Sequence, residues 1–335
     1  MKIAILGGGS WGTAVARLLA MHHRDVTLYI RETPQANYVD RYRENPHFLP
    51  GVKIPSSLHI TDSIEDAVSE AKVVVLGVPT GACREVMNEI ATRLADGAIL
   101  VSLAKGIEIE SLKRVSEIAE EILPNHPFVC LSGPSHAEEV GKDIPTTVTV
   151  SSKNPDAAKF AQEIFHCETF RVYTNEDLIG VELGGALKNI IALAAGMTDG
   201  CGYGDNTKAA LMTRGMYEIA KLGTQMGGNE RTFYGLAGMG DLIVTCTSMH
   251  SRNRRCGILI GQGKSVEDAI EEVGMVVEGI KTTRSAFELS KRYDVDMPIT
   301  RALYRIIYEG EPVKEAVQSL MMRTKKEEFQ AAALQ

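Results

Sequence analysis

The chain has 335 residues, 44% of them hydrophobic and 24% charged, enough for about two domains with ordinary globular cores. That balance excludes a disordered chain, a collagen-like repeat and a disulfide-stapled miniprotein. Thirty-six Lys and Arg against 43 Asp and Glu give a net charge of −7. This argues against a general binder of nucleic acid or anionic membranes, whereas an anionic small molecule needs only a few local cations.

In the first half, short β-branched runs read as strands: Lys2–Leu6, Val26–Ile30, Val73–Leu76, Ala98–Val101, Phe128–Leu131 and Thr146–Val150. Helix-length stretches lie between them, among them Trp11–His22, Gly81–Leu94 and Ile109–Leu123. The alternation predicts an α/β arrangement with a mostly parallel sheet covered on both faces. After about Asp177 the strand signal fades. Glu182–Met197, Thr207–Met226, Ser265–Val273, Ile280–Tyr293, Pro298–Tyr308 and Pro312–Met321 predict an all-α second half. Gly196–Asn206, Gly235–Asp241 and Thr245–Arg255 read as loops, and a frayed tail is expected over 326–335. The six cysteines form no CxxC pair, which predicts reduced thiols and a cytoplasmic protein. No apolar run reads as the ~20 residues of a spanning helix, so no membrane insertion is expected.

Gly7-Gly8-Gly9-Ser10-Trp11-Gly12 has the spacing G-x-G-x-x-G, directly after the first strand and at the opening of a helix. Glycines there permit a tight turn and let the backbone approach a pyrophosphate, which the free N–H groups of the helix start then stabilise. The plainer reading is a glycine turn with no ligand. At the end of the second strand stand Arg31 and then Glu32. An arginine there accommodates a 2′-phosphate and an acid holds a ribose hydroxyl, so NADP(H) is favoured and NAD(H) accepted. The alternative is a solvated Arg–Glu pair.

Lys105, in Ser102-Leu103-Ala104-Lys105-Gly106, stands at the carboxyl edge of the sheet, where open α/β folds bind ligands, unless it is a plain loop lysine. Gly133 and Ser135 leave the next strand at the same edge. Lys188 lies inside the apolar helical stretch Glu182–Leu193, with Gly184, Gly185 and Ala192 one turn away on its own side. Two interior glycines cost about 1 kcal/mol each against alanine, so room for a ligand is one account of them. A desolvated lysine there can serve as acid or base. The other account is a snorkelling lysine beside a helix-packing contact. Ser251-Arg252-Asn253-Arg254-Arg255 has the donors for a phosphate clamp, or is a solvated charge run. Asp241, between glycines and an apolar stretch, reaches a substrate hydroxyl or merely closes a turn. The His and Cys spacings fit no metal site.

GGGSWGTA at 7–14, SLAKGIE at 102–108, LSGPSHAEEV at 131–140, ELGGALKNIIALAAG at 182–196, GLAGMGDLIVTCTS at 235–248, SRNRR at 251–255 and VVEG at 276–279 together resemble the bacterial NAD(P)-dependent sn-glycerol-3-phosphate dehydrogenase family. The resemblance runs over nearly the whole chain. It implies an α/β Rossmann-type N-terminal domain (residues 1–180), an all-α C-terminal domain of the 6-phosphogluconate-dehydrogenase type (181–325) and commonly a homodimer. It implies reversible reduction of dihydroxyacetone phosphate to sn-glycerol 3-phosphate for phospholipid synthesis. By that resemblance Gly7, Gly9, Ser10, Trp11, Gly12, Arg31, Phe48, Ala137, Val276 and Glu278 touch NADP or NAD, together with Lys105 and Arg252. Lys105, Gly133, Ser135, Asp241, Ser251, Arg252 and Asn253 hold the substrate. Lys188 accepts the proton in the oxidation direction. The competing reading is another dehydrogenase of the same superfamily, of the 6-phosphogluconate or 3-hydroxyacid type, which has no need of SRNRR. A redox-sensing module that binds NAD(P)H without catalysis has no use for Lys188.

Overall fold

The computed structural model describes residues 1–325, 327 and 328; the rest of the tail expected over 326–335 lies outside the described residues. From the N-terminus the elements are β1 (Ile3–Leu6), α1 (Ser10–His22), β2 (Val26–Tyr29), α2 (Thr33–Tyr42), β3 (Glu44–Asn45), β4 (Leu49–Lys53), β5 (Leu58–Thr61) and α3 (Ile64–Val68). Then come β6 (Val73–Leu76), α4 (Thr80–Ile90), β7 (Ile99–Ser102), α5 (Val115–Ile122), β8 (Phe128–Ser132), α6 (Ala137–Val140), β9 (Thr146–Ser151), α7 (Pro155–Phe165) and β10 (Phe170–Asn175). The sheet order is β10-β9-β8-β7-β6-β1-β2-β5, and β3 and β4 form a separate hairpin. Neighbours are parallel except β8 and β9, which are antiparallel, so the mostly parallel sheet read from the sequence is borne out. β1, β6 and β7 are buried along nearly their whole length and are almost entirely apolar, as strands covered on both faces require. Every predicted strand is present. The β3–β4 hairpin, β5 and β10 are not among the strands read from the sequence; β5 and β10 are edge strands with a mixed polar pattern, LHIT and FRVYTN.

The second half holds α8 (Leu178–Gly200), α9 (Asp205–Gln225), α10 (Glu230–Phe233), a single π-helical turn (Leu236–Gly240), α11 (Asp241–Thr247), α12 (Arg252–Gly261), α13 (Val266–Val273), α14 (Glu278–Arg292), α15 (Pro298–Tyr308) and α16 (Val313–Met321). Strands end at Asn175, so the all-α expectation holds among the described residues. All three loop expectations are corrected in part: within Gly235–Asp241 the residues Leu236–Gly240 form the π-helical turn and Asp241 begins α11. Gly196–Gly200 is the last turn of α8, Thr245–Thr247 ends α11, and Arg252–Arg255 opens α12 because the Ser251 hydroxyl caps it, accepting from Arg254 N at 3.2 Å. The helix expected from Ile109 begins only at Val115, since Leu112 takes a left-handed φ of 60°. The expectation that no stretch reaches spanning length also needs correcting: α8 is long and apolar enough to cross a membrane, but 94% of its apolar window is enclosed by protein. It is apolar all round because other helices and the sheet surround it.

α8 is tied to the sheet half through a buried ion pair. Glu182 accepts from Arg114 Nη1 at 2.6 Å, from Ser116 Oγ at 2.6 Å and from Ser116 N at 2.8 Å. A second buried carboxylate, Glu218 of α9, caps α15 by accepting from Ile299 N at 2.7 Å and Thr300 N at 3.1 Å. It has no cationic partner among the described residues, and burial pushes its carboxyl up to about 7 from an ordinary 4.5. Between those values the folded state binds more protons than the unfolded one, so this group's contribution to stability declines as pH rises. Glu218→Gln is therefore expected to change the gap in Tm to wild type across that window in thermal melts. A gap constant with pH would show that Glu218 does not titrate there.

Candidate active site

The glycine turn joins β1 to α1. Gly7 sits at φ 126°, where an added Cβ would lie 2.7 Å from Gly77 O, and a Cβ on Gly12 would collide with the Gly7 carbonyl. These two glycines let strand, turn and helix approach each other. A Cβ on Gly9, by contrast, would meet nothing within 4 Å. Gly9 is the N-cap residue of α1, whose first turn carries no acidic side chain, so its free N–H groups and dipole face open space suited to a pyrophosphate. The residues present fit a dinucleotide. Trp11 turns inward, packing 6.5 Å from the Phe170 ring, with its Nε1 buried and unpartnered among the described residues. Arg31 stands two residues beyond β2 with 73% of its side chain exposed, paired with Glu32 at 3.1 Å. Phe48 lies in the β3–β4 hairpin. Asn45 of that hairpin donates to Gly8 O and to Thr13 Oγ1, both at 2.9 Å, and so fastens the hairpin to the glycine turn. Across from it, Ser10 Oγ lies 4.0 Å from Met275 Sδ, which brings the loop carrying Val276 to the same turn.

At the carboxyl edge of the sheet the predicted polar residues converge. Lys105 Nζ donates to Asp241 Oδ2 at 2.6 Å and to Gly133 O at 2.8 Å, with Ser135 Oγ at 3.5 Å. Lys188 Nζ donates to Asp241 Oδ1 at 2.9 Å and to Thr245 Oγ1 at 2.7 Å. One carboxylate, 2% exposed, thus holds two ammonium groups. Burial opposes its ionisation, yet Lys105 and Lys188 together keep the Asp241 carboxyl below its ordinary range. Burial pushes Lys188 down to about 8, Asp241 pulls it back up, and Lys105 adds to the fall. A buried amine near 8 is suited to giving and taking protons close to neutral pH.

Gly184 and Gly185 are explained by packing rather than by room for a ligand. A Cβ on Gly184 would lie 2.9 Å from Ala237 O, and one on Gly185 would lie 2.5 Å from Ser132 Oγ. They let α8 press against the π-helical turn and the end of β8. Lys188 is 6% exposed, so it does not snorkel.

A chain of amides links the two halves. Asn189 Nδ2 donates to Lys105 O at 3.1 Å, Asn253 Nδ2 donates to Asn189 Oδ1 at 2.9 Å, and Gly279 N donates to Asn253 Oδ1 at 2.8 Å. Both polar atoms of the Asn253 side chain are therefore engaged, which leaves its backbone N–H and a second amide hydrogen for an anion. Ser251 caps α12 as an acceptor, and its hydroxyl donates no hydrogen bond among the described residues. Arg252 makes no side-chain hydrogen bond among the described residues, and burial lowers its pKa. Glu278 opens α14 and accepts from Thr80 N at 3.2 Å, beside Gly106; burial raises its carboxyl. Ala137, 7% exposed, begins α6 just beyond the Gly133–Ser135 turn.

Arg31 and Phe48 stay outside this cluster, on the glycine-turn side; Lys105, Gly133, Ser135, Lys188 and Asp241 form its centre. Asn189, Thr245 and Asn45 were not singled out from the sequence. Thr245 becomes legible only once Asp241–Thr247 is known to be helical, for then positions i and i+4 share a face.

A nucleotide-binding turn beside a buried lysine and aspartate with a second, half-buried lysine is the equipment of a pyridine-nucleotide dehydrogenase that moves a proton at a carbonyl or alcohol. The description of the NAD-dependent glycerol-3-phosphate dehydrogenase N-terminus matches residues 2–158, and that of its C-terminus matches 177–318. The chain belongs to this family. A protein of Bacillus pumilus called glycerol-3-phosphate dehydrogenase (NAD(P)+) is 53% identical over 98% of this chain and 96% of its own length. That of Bacillus subtilis is 54% identical with the same coverage. A crystal structure of glycerol-3-phosphate dehydrogenase from Coxiella burnetii superposes with a TM-score of 0.93 at 36% identity, covering 96% of this chain and 99% of that one.

Proposed function

We propose that this protein interconverts dihydroxyacetone phosphate and sn-glycerol 3-phosphate with NADPH or NADH, in a cytoplasmic homodimer that supplies glycerol phosphate for phospholipid synthesis. The observation that carries the reading is Asp241 held between the Lys105 and Lys188 ammonium groups, within one amide chain of the first turn of α12. The residues are taken as two domains, 1–180 for the nucleotide and 181–325 for most of the substrate, and the change from strands to helices between Asn175 and Leu178 supports the division.

Gly7, Gly9, Ser10, Trp11 and Gly12 would hold the pyrophosphate end of the cofactor, with Arg31, Phe48, Ala137, Arg252, Val276 and Glu278 along the rest of it. When bound, the reduced nicotinamide supplies the hydride. The Lys188 ammonium donates to the C2 oxygen as negative charge develops there and then transfers its proton to it. Lys105 adds positive field near that oxygen, and Asp241 and Thr245 fix the direction of the Lys188 ammonium. Gly133 and Ser135 line the other side. Ser251, Arg252 and Asn253 hold the phosphate through the free N–H groups of α12, the Ser251 hydroxyl and the Arg252 guanidinium. That anchoring positions the carbonyl, so its loss harms turnover as well as affinity.

The test is a spectrophotometric assay of the purified protein. Dihydroxyacetone phosphate is expected to oxidise NADPH and NADH promptly, and phosphate-free dihydroxyacetone to support little turnover. No oxidation by protein that binds NADPH would return the chain to another dehydrogenase of its superfamily. Arg31→Ala is expected to weaken NADPH about five- to tenfold and NADH much less, since an exposed guanidinium–phosphate contact is worth on the order of 1 kcal/mol. Equal losses in fluorescence titrations would remove Arg31 from the 2′-phosphate.

A further inference from the structure

α8 carries Lys188 and α12 opens at the basic turn, so the packing of these helices sets the span between ammonium and anion site. Their contacts advance together. Asn189 bonds Asn253, Gly196 meets Gly257, and Gly200 meets Gly261. The helices therefore run side by side in one direction, with the first turn of α12 level with Lys188 and Asn189. A Cβ on Gly196 would come within 2.9 Å of Gly257 Cα, and one on Gly200 within 3.0 Å of Gly261 Cα.

That seam brings the backbones together, and one ion pair pins the first turn. Asp199 follows Lys188 by eleven residues, about three turns, and so projects from the same side of α8. Arg254 donates to Asp199 Oδ2 from Nε at 2.9 Å and from Nη2 at 2.7 Å. Its Nη1 donates at 3.1 Å to the carbonyl of Thr247, the last residue of the helix that bears Asp241 and Thr245. Lys208 of α9 pairs with Asp199 Oδ1 at 2.7 Å. Both members of the central pair are largely buried, with 13% and 16% of their side chains exposed. A single guanidinium thereby joins α8, α11 and α12 without touching either site lysine.

We propose that Asp199 and Arg254 are positioning residues. They hold the anion-binding turn of α12 at one span from the Lys188 ammonium, so that the carbonyl and the phosphate of a single three-carbon substrate are met together. The inference rests on the substrate reading above. A pair that merely stabilised the fold would affect every ligand alike, whereas a positioning pair acts on phosphate recognition.

Asp199→Asn keeps the shape and removes the charge. It is expected to raise both KM for dihydroxyacetone phosphate and the competitive inhibition constant of inorganic phosphate by about tenfold, as loss of a charge-assisted pair holding the turn would do. NADPH affinity, and turnover of phosphate-free dihydroxyacetone measured at high enzyme concentration, should stay near wild type. Arg254→Lys keeps the charge but cannot serve Asp199 and Thr247 together, and is expected to show the same pattern more weakly. If Asp199→Asn fails to fold, Arg254→Lys carries the comparison. An unchanged phosphate inhibition constant, or equal loss with both ketones, overturns the positioning role. Wild-type protein that phosphate does not inhibit, or that does not prefer the phosphorylated ketone, overturns the substrate reading instead.

Discussion

Lys188→Ala is expected to lower turnover of dihydroxyacetone phosphate by ~10²–10⁴ while leaving NADPH affinity nearly intact. The alkoxide that develops at C2 would lose its proton donor, and among the described residues the other cation bonded to Asp241 is Lys105, which Gly133 and Ser135 already hold. The fold should survive. Asp241 keeps its 2.6 Å bond to Lys105, so the buried carboxylate is not left without a counter-charge. Steady-state rates, NADPH fluorescence titration and a thermal melt separate these effects. A near-wild-type rate would end the role of Lys188 as proton carrier.

Asp241→Asn is expected to be nearly as severe for reduction, by about 10² or more, with a distinct signature in pH. It leaves the buried Lys188 ammonium facing the half-buried Lys105 ammonium without their shared anion. Of the forces on Lys188, burial and Lys105 lower its pKa and Asp241 raises it. Without the carboxylate, the value falls below the wild-type figure of about 8. Reduction needs the ammonium, so its rate in wild type declines as pH rises through about 8, and in the variant that decline moves to lower pH. Oxidation needs the neutral amine, so at neutral pH it should suffer less than reduction. Turnover–pH profiles in both directions are the measurement. An unshifted descending limb in the reduction direction would show that Lys188 is not the group being titrated.

The parts of the molecule legible in the sequence are those written in local pattern. The buried strands announce themselves as β-branched runs, and the glycine turn is recognisable because G-x-G-x-x-G falls between a strand and a helix. Lys188 stands out as the one cation in a largely apolar helical stretch, and burial at 6% justifies the attention. What was missed depends on pairing across the fold. Asn189 neighbours Lys188 in sequence but lies about 100° further round α8, where its partner is Asn253. Thr245 and Gly200 read as loop residues in the sequence, which hides the helical spacing that gives them meaning. SRNRR reads as loop because it lies in a stretch rich in Thr and Ser, although Ser251 is a good N-cap residue. Gly184 and Gly185 carried a true signal of close approach, but a sequence cannot say whether a ligand or another backbone approaches.

The Lys105–Asp241–Lys188 cluster also bears on how the gene can be cut. Lys105 comes from the strand-rich half, and Asp241 and Lys188 come from the helical half. The base of α8 in turn depends on Arg114 of the first half to neutralise Glu182. A fragment ending near residue 180 would keep the glycine turn and could retain nucleotide affinity, yet it would hold no proton carrier. The complementary fragment would carry two of the three cluster residues, Lys188 and Asp241, without Lys105, and an acidic side chain stripped of its counter-ion. Chimeras that exchange one half between distant relatives must therefore carry Arg114 with Glu182, and Lys105 with Asp241, as matched pairs.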